Sequence, residues 1–285
     1  MSTRLSISTP VVTMFPQTSA AWEHDASIED LARIAQAADR LGYYHLTCSE
    51  HIALPAPERG RRGARYWDPL ATFGYLAART QRIRFATNVL VLGYHHPLEI
   101  AKRYGTLDKV SNGRLILGVG VGSLKEEFDL IGAPFDDRGP RGDDALRALR
   151  ASLSIPEPAY QGEFYSFGGM VVDPCAAQER VPIWIGGRTL RSLRRAVTLA
   201  DGWAPFAVSL RQAREWLDRF DLQPGFEVVL PPPSPLDPID EPERTRDALG
   251  ELAAHGATIV AAIFKHTSLQ HYLENLAALA ELQRS

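Results

Sequence analysis

Cysteine is nearly absent from this 285-residue chain: Cys48 and Cys175 are the two present, and neither sits in a C-x-x-C pair. Two thiols cannot build a disulfide framework, and without a paired spacing they suggest neither a zinc knuckle nor a dithiol redox centre. Reduced thiols and a cytoplasmic location are therefore expected. Long apolar runs are missing too. The longest, such as residues 259–264, fall far short of the ~18 residues of a membrane span. No apolar stretch with a small-residue cleavage site follows the first residues, so no secretory signal is visible. Charge of one sign is also lacking, since 31 Lys and Arg meet 34 Asp and Glu for a net charge of −3. That balance gives no global field for attracting nucleic acid or an anionic membrane surface. The partners expected are a small-molecule substrate and a second copy of the chain, as a homodimer.

What the chain does have is regular alternation. Hydrophobic residues make up 45% of it, enough for a sizeable core. Short β-branched or glycine-marked runs alternate with amphipathic stretches of roughly ten to fifteen residues. Strands are predicted near 5–12, 43–49, 83–92, 114–122, 182–187, 201–206, 226–231 and 258–265. Helical patterns follow them at 28–41, 69–80, 97–110, 143–153, 190–200, 210–220, 242–255 and 269–282. Proline at the first helical position in Asp68-Pro69 and His96-Pro97, with Gly42, Gly113 and Gly256 at helix stops, punctuates the pattern. Eight strands each followed by a helix imply parallel pairing that closes on itself. The predicted fold is a TIM (β/α)8 barrel forming a single domain over residues 1–285. A doubly wound open sheet is the alternative. The spacing between the fourth and fifth strands is unusually long, which marks residues 155–181 as an insertion between the fourth helix and the fifth strand, with a small hairpin near 163–167. A second long connection, 52–67, carries Arg59, Arg61, Arg62 and Arg65.

Barrel active sites form at the C-terminal ends of the strands, so the residues to weigh are those just past each one. Cys48-Ser49-Glu50-His51 ends the second strand. His51 can exchange a proton near neutral pH, and the adjacent Glu50 could fix its tautomer. The alternative is a histidine that merely caps a strand. Cys48 and His51 alternate onto opposite faces, which argues against a nucleophile pair. In the fourth strand Gly118, Gly120 and Gly122 share one face, a surface free of side chains where a flat ring or a phosphate tail could lie, with Ser123 next. Relief of crowding inside the barrel is the plainer account. The spacing is not G-x-G-x-x-G, which disfavours a Rossmann dehydrogenase. After the fifth strand, Gly186-Gly187-Arg188 runs into a helix whose first backbone N–H groups could bind phosphate, although paired glycines also serve ordinary turns. His95, His96 and Glu99 are awkward in register as ligands and lack a third partner, so no metal is expected.

Taken together the strings are more specific than any one of them. Ser49-Glu50-His51, Trp67-Asp68-Pro69-Leu70, Ala77-Ala78-Arg79-Thr80 with Arg82-Ile83, and Pro97 with Ala101-Lys102 come first. Thr106-Leu107-Asp108, Ser111 with Gly113-Arg114, the glycine strand with Glu126-Glu127-Phe128, Pro182-Ile183-Trp184-Ile185-Gly186-Gly187, and Ala200-Asp201-Gly202-Trp203 follow. This set resembles the luciferase-like monooxygenase superfamily, and within it the actinobacterial coenzyme F420-dependent oxidoreductases, over roughly residues 5–206. The resemblance implies a deazaflavin at the barrel mouth and hydride transfer between its C5 and an organic substrate. An FMN-dependent monooxygenase of the same superfamily and a non-catalytic flavin-binding barrel are the alternatives. It also implies an acid/base role for His51, with Glu50 where the family often has aspartate. Ser123 stands where the sugar-phosphate dehydrogenases of the family carry a glutamate. Members often have a non-prolyl cis peptide at the end of the third strand, and the matching positions are Asn88 and Val89, with Val89 expected to back the ring. Gly120, Gly122, Ser123, Gly186, Gly187 and Arg188 complete the implied cofactor contacts. Four lysines against 27 arginines fit a GC-rich genome, consistent with an organism that makes the deazaflavin.

Overall fold

The computed structural model describes residues 3–16 and 18–284. Its first half runs β1 (Arg4–Ile7), α1 (Ile28–Leu41), β2 (His45–Cys48), α2 (Arg59–Arg62), α3 (Pro69–Ala77), β3 (Arg84–Thr87), β4 (Leu90–Val91), α4 (Pro97–Val110) and β5 (Leu115–Gly120). Then come α5 (Lys125–Leu130), α6 (Arg138–Arg150), β6 (Tyr160–Gln161), β7 (Ser166–Phe167), β8 (Ile183–Gly187) and α7 (Leu190–Leu199). The chain ends with β9 (Gly202–Pro205), α8 (Leu210–Leu217), β10 (Glu227–Leu230), α9 (Pro242–Ala254), β11 (Ile259–Ala262) and α10 (Leu269–Arg284).

Parallel pairing runs in the order β3, β2, β1, β11, β10, β9, β8, β5, and β3 pairs again with β5, Phe85 opposite Leu115. The sheet is closed. With β3 and β4 as two parts of one strand, the described residues form an eight-stranded parallel barrel wrapped in helices. Strand alternation divides its side chains into two sets. Leu46, Phe85, Leu115, Leu117, Ile183, Ile185, Trp203 and Val260 face the helical layer, while Ala86, Ile116, Trp184, Val229, Ile259 and Ala261 fill the interior. Each fully buried large side chain stabilises the fold by ~1.5–3 kcal/mol, so a one-residue slip of any strand would exchange the two sets at great cost.

Local chemistry explains the helix ends. Ser27 caps α1 by accepting from the Asp30 amide at 3.3 Å, and Gly42 ends it at φ 85°. Buried carboxylates then pin the connections. Asp39 accepts from the amides of Gln81, Arg82 and Ile83. Asp108 and Asp144 do the same for the insertion: Asp108 through the amides of Ala177 and Gln178, both at 2.9 Å, and Asp144 through those of Phe164 and Tyr165 at 2.8 and 3.0 Å.

The observed elements differ from expectation in several places, the third strand among them, which breaks into β3 and β4. The first strand stops at Ile7 rather than residue 12, because the chain turns away at Val11, whose φ is 73°. Glu23, 2% exposed, holds that turn by accepting from the Val11 amide at 2.8 Å. The fourth long helix begins at Arg138 instead of 143. Pro140 falls in its first turn, where a missing N–H is not felt, and a Cβ on Gly142 would lie 2.7 Å from Val121 Cγ1, so this glycine marks close packing rather than a break. The hairpin strands are Tyr160–Gln161 and Ser166–Phe167, with 163 in the turn between them. Lastly, α2 and α5 add short helices in loops that had no helical pattern. No helix among the described residues is long and apolar enough to cross a membrane.

Candidate functional site

Where β2 leaves the barrel, Ser49, Glu50 and His51 cross the mouth beside the break between β3 and β4. The two segments are tied together: the Asn88 amide donates to the Cys48 carbonyl at 2.8 Å, Ser49 Oγ donates to the Asn88 carbonyl at 2.7 Å, and the Glu50 amide donates to the Val89 carbonyl at 3.2 Å. The Asn88–Val89 peptide bond is cis, as the resemblance implied.

Val89 accounts for the glycines. A Cβ on Gly120 would lie 2.8 Å from Val89 Cγ2, and one on Gly186 would lie 2.4 Å from Val89 Cγ1. Gly118 and Gly122 are crowded as well, by the Thr87 carbonyl at 1.9 Å and by the Phe128 ring and Val91 at 2.6 to 2.9 Å. Of the two readings of the glycine face, relief of crowding therefore holds, and the face is not a bare backbone surface. The protein's own Val89 is seated on it, and Gly120 and Gly186 bear on the mouth through that side chain. Gly122, at φ 81°, turns the chain out of β5 toward Ser123, which is exposed.

His51 has a carboxylate partner, but it is not Glu50. His51 Nδ1 lies 2.7 Å from Glu127 Oε2, which also accepts from the Tyr94 hydroxyl at 2.9 Å. Glu127 Oε1 accepts from the amides of Ile52 and Ala53 at 2.8 and 3.3 Å. The carboxyl is 1% exposed; burial pushes its pKa up, yet the bonds from His51, Tyr94 and the Ile52 amide outweigh it and hold it below the ordinary carboxylate value. An ionised carboxylate only accepts, so Nδ1 carries the proton and Nε2 is left as the basic nitrogen. The His51 side chain keeps 18% of its surface exposed, and Nε2 has no partner among the described residues. Tyr66 packs edge-on against the ring at 4.4 Å between centroids. Burial and Glu127 raise the Tyr94 hydroxyl far above its usual pKa, so it stays a donor.

Glu50 does different work. Its Oε2 accepts from the Val91 amide at 2.7 Å and its Oε1 lies 2.6 Å from His95 Nε2, while His95 Nδ1 faces Glu99 at 3.6 Å. Burial lowers the His95 pKa, but the bond and charge of Glu50 with the charge of Glu99 carry it above its ordinary value. The result is an ionic clamp across β2, β4 and α4 that fixes the backbone on either side of Val89. His96 caps α4, accepting from the Leu98 amide at 3.2 Å. Cys48 faces the helical layer, donates to the Trp67 carbonyl, and has its thiol pushed up to about 12 by burial. The 59–65 arginines are largely engaged: Arg61 and Arg62 with Glu58, and Arg65 with the carbonyls of Glu23 and His24 at 2.6 Å.

Across the mouth β8 ends at Gly187, whose φ of 127° suits glycine and where a Cβ would meet Ser192 at 2.8 Å. Thr189 caps α7 by accepting from the Ser192 amide at 3.3 Å, and Ser192 Oγ donates back to the Thr189 carbonyl at 2.7 Å. This leaves a rigid helix start with free backbone N–H groups and with Arg188 exposed beside it.

The structure thus brings His51 together with Glu127, Tyr94 and Tyr66, three residues that the sequence had not singled out as its partners. Glu127 stood in the Glu126-Glu127-Phe128 string, where nothing distinguished it from its exposed neighbour.

Comparison with known proteins follows this geometry. The family model for luciferase-like monooxygenase matches residues 9–223. The protein Rv0940c of Mycobacterium tuberculosis is 32% identical over 182 residues, covering 60% of this chain and 62% of that one. The F420-dependent glucose-6-phosphate dehydrogenase of Nakamurella multipartita is 30% identical over 181 residues, covering 61% of this chain and 51% of that enzyme. The chain therefore spans less than two thirds of the length of these curated relatives. Among solved structures, the monooxygenase RslO1 from Streptomyces bottropensis superposes with a TM-score of 0.79 at 20% identity, covering 98% of each chain.

Proposed function

The chain belongs to the luciferase-like monooxygenase family, and from that premise we propose that it is a coenzyme F420-dependent oxidoreductase, passing a hydride between the deazaflavin C5 and a small organic substrate. The observation that carries this reading is the pairing of His51 with the buried Glu127, which leaves Nε2 free at the mouth. The choice of F420 over FMN is supported by the relative named for F420-dependent glucose-6-phosphate oxidation.

The residues present fit such a cofactor. Val89, seated on Gly120 and Gly186, offers an apolar, branched face to a flat ring. Gly187 and Arg188 at the start of α7 suit a phosphate, through backbone N–H groups and a guanidinium. Asn88 and Ser123 are both exposed and complete the proposed contacts. When bound, the deazaflavin supplies the two-electron chemistry.

The chain handles the proton. As a substrate hydroxyl is oxidised to a carbonyl, its proton passes to His51 Nε2; in the reverse direction Nε2 returns it. Glu127 holds the Nδ1–H tautomer that makes this possible and stabilises the imidazolium that forms, the part an orienting carboxylate plays for a catalytic histidine elsewhere. His51 itself, with Tyr94 and the Ile52 amide, holds that carboxylate below its ordinary pKa despite its burial.

Equilibrium titration of the purified chain with F420 and with FMN, followed by fluorescence, tests the assignment. Saturable F420 binding at ~10-fold or more higher affinity than FMN is expected. FMN binding the tighter would replace the reading with an FMN-dependent monooxygenase, and no binding of either would leave a non-catalytic barrel.

A further inference from the structure

On the outer layer, far along the chain from His51, the groove between α6 and α7 is lined by arginine. Two adjoining cavities of about 520 and 310 Å3 share Arg147, Thr198 and Leu199; Arg150 and Arg180 line the first, and Arg191, Arg194 and Arg195 the second. Two carboxylates answer these six guanidiniums: Asp143 pairs with Arg195, and Asp201 is shared between Arg150 and Arg180. Arg147, Arg191 and Arg194 are exposed, and among the described residues their side chains have no acceptor. A chain with a net charge of −3 has therefore gathered a surplus of four positive charges in one groove.

Such a grouping is costly without a counter-charge, because like charges repel and the groove walls reduce screening. Arg150 adds an unmet donor at the edge of the groove. Its Nε is buried with no acceptor, and burial holds the guanidinium below its ordinary pKa against the pull of Asp201, with Arg180 adding to the lowering. Spacing also matters. Arg191 and Arg194 are three apart on α7, and Arg195 four from Arg191, so they share one face with neighbouring Cβ atoms ~5–6 Å apart. Forked guanidiniums so placed match successive oxyanion groups bidentately.

We propose that the α6–α7 groove is a binding site for a small linear polyanion carrying at least three phosphate or carboxylate groups. The ligand's charges meet Arg147, Arg191 and Arg194 and relieve the repulsion among them. The test does not depend on the cofactor reading: Arg191 lies in the first turn of α7, near the proposed phosphate contacts, but the residues substituted, Arg147 and Arg194, stand apart from those proposed to hold the ring and its phosphate.

Calorimetric titration of the full chain with inorganic tripolyphosphate and, separately, with citrate tests it. Saturable one-to-one binding of either is expected, with the better ligand identifying phosphate or carboxylate as the source. Arg147→Glu with Arg194→Glu should weaken it at least 10-fold, while melting temperature and F420 titration stay as in the parent chain. The milder Arg147→Gln with Arg194→Gln is expected to show an intermediate loss and covers the case where the double glutamate variant fails to fold. Absence of saturable binding by both anions, binding undiminished in both variants, or retention of duplex DNA in preference to the small anions would each overturn the proposal.

Discussion

Replacing Glu127 by glutamine removes one charge while keeping the side chain's size, and the structure allows the cost to be worked out. The carboxylate accepts four hydrogen bonds, two from the amides of Ile52 and Ala53 and two from His51 and Tyr94. In Glu127→Gln the carbonyl oxygen can keep the amides. The new NH2 then faces Nδ1 and the hydroxyl; Tyr94 can turn its proton away and His51 can switch tautomer, so both contacts survive as neutral bonds. What is lost is charge assistance, ~1 kcal/mol per bond when a bond worth ~1.5–3 kcal/mol becomes one worth ~0.5–1.5. All four bonds to the carboxylate lose it, ~4 kcal/mol in all, and relief of a buried charge offsets part of this, so a net loss of ~2 kcal/mol is expected, which lowers the melting temperature by ~4–8 °C in a chain of roughly this size. The pH dependence has a definite sign. The Glu127 pKa is lowered from its reference value of 4.5 in the folded chain, so its contribution is fully present above 4.5 and is lost as pH falls through the lower folded value. The gap between parent and variant is therefore expected to be open at pH 7 and to close in acid. Urea unfolding of both proteins across that range is the assay. A variant as stable as its parent at pH 7, or a gap that widens in acid, would refute the role given to this carboxylate.

Other expectations follow from the same geometry. His51→Ala should lower turnover by ~10²-fold or more with the fold intact, read by single-turnover kinetics beside a thermal melt. His95, its pKa raised above 6.5 between Glu50 and Glu99, contributes stability below pH 6.5 that is lost as pH rises through the folded value; urea midpoints at mildly acidic and alkaline pH should show the loss, and His95→Ala should abolish it. Gly186→Ala would set a Cβ 2.4 Å from Val89 Cγ1, so a loss of ~1–3 kcal/mol is expected together with weakened cofactor binding. Arg188→Glu, at an exposed position, should weaken cofactor binding without moving the melting temperature. Gly187→Val cannot make that separation, because φ 127° and the nearby Ser192 tie the position to the fold as well.

The barrel was legible because its signals are local: the glycine-marked apolar run Leu115–Gly120, the apolar stripe of Ile28–Leu41, and proline or glycine at helix ends each declare themselves within a few residues. Boundaries failed where tertiary contacts override those signals, as at Val11, turned by a buried Glu23, and at Gly142, chosen for its packing on Val121. The site divides the same way. His51 was a candidate because the end of a strand is a place to look, and the Asn88–Val89 cis bond was expected because the family often carries one there. Glu127 lies 76 residues from His51, and no periodicity joins them; only closure of the barrel brings them together. The adjacent Glu50 was the natural partner on the page of the sequence, but the backbone turns its carboxylate toward Val91 and His95 instead. Crowding at the glycine strand could be named from the sequence but not its source, since the side chain that fills the face comes from another strand.

The account rests on His51 bearing its proton on Nδ1, held there by Glu127, with Nε2 left to exchange a proton with substrate. Long-range 1H–15N correlation of the histidine ring nitrogens in the purified chain reads this directly, with His51→Ala supplying the assignment. The account predicts a neutral His51 with protonated Nδ1 and an unprotonated Nε2 in the neutral form. A neutral His51 carrying its proton on Nε2 would contradict it, because the only nitrogen then free to take a proton would be the one facing Glu127.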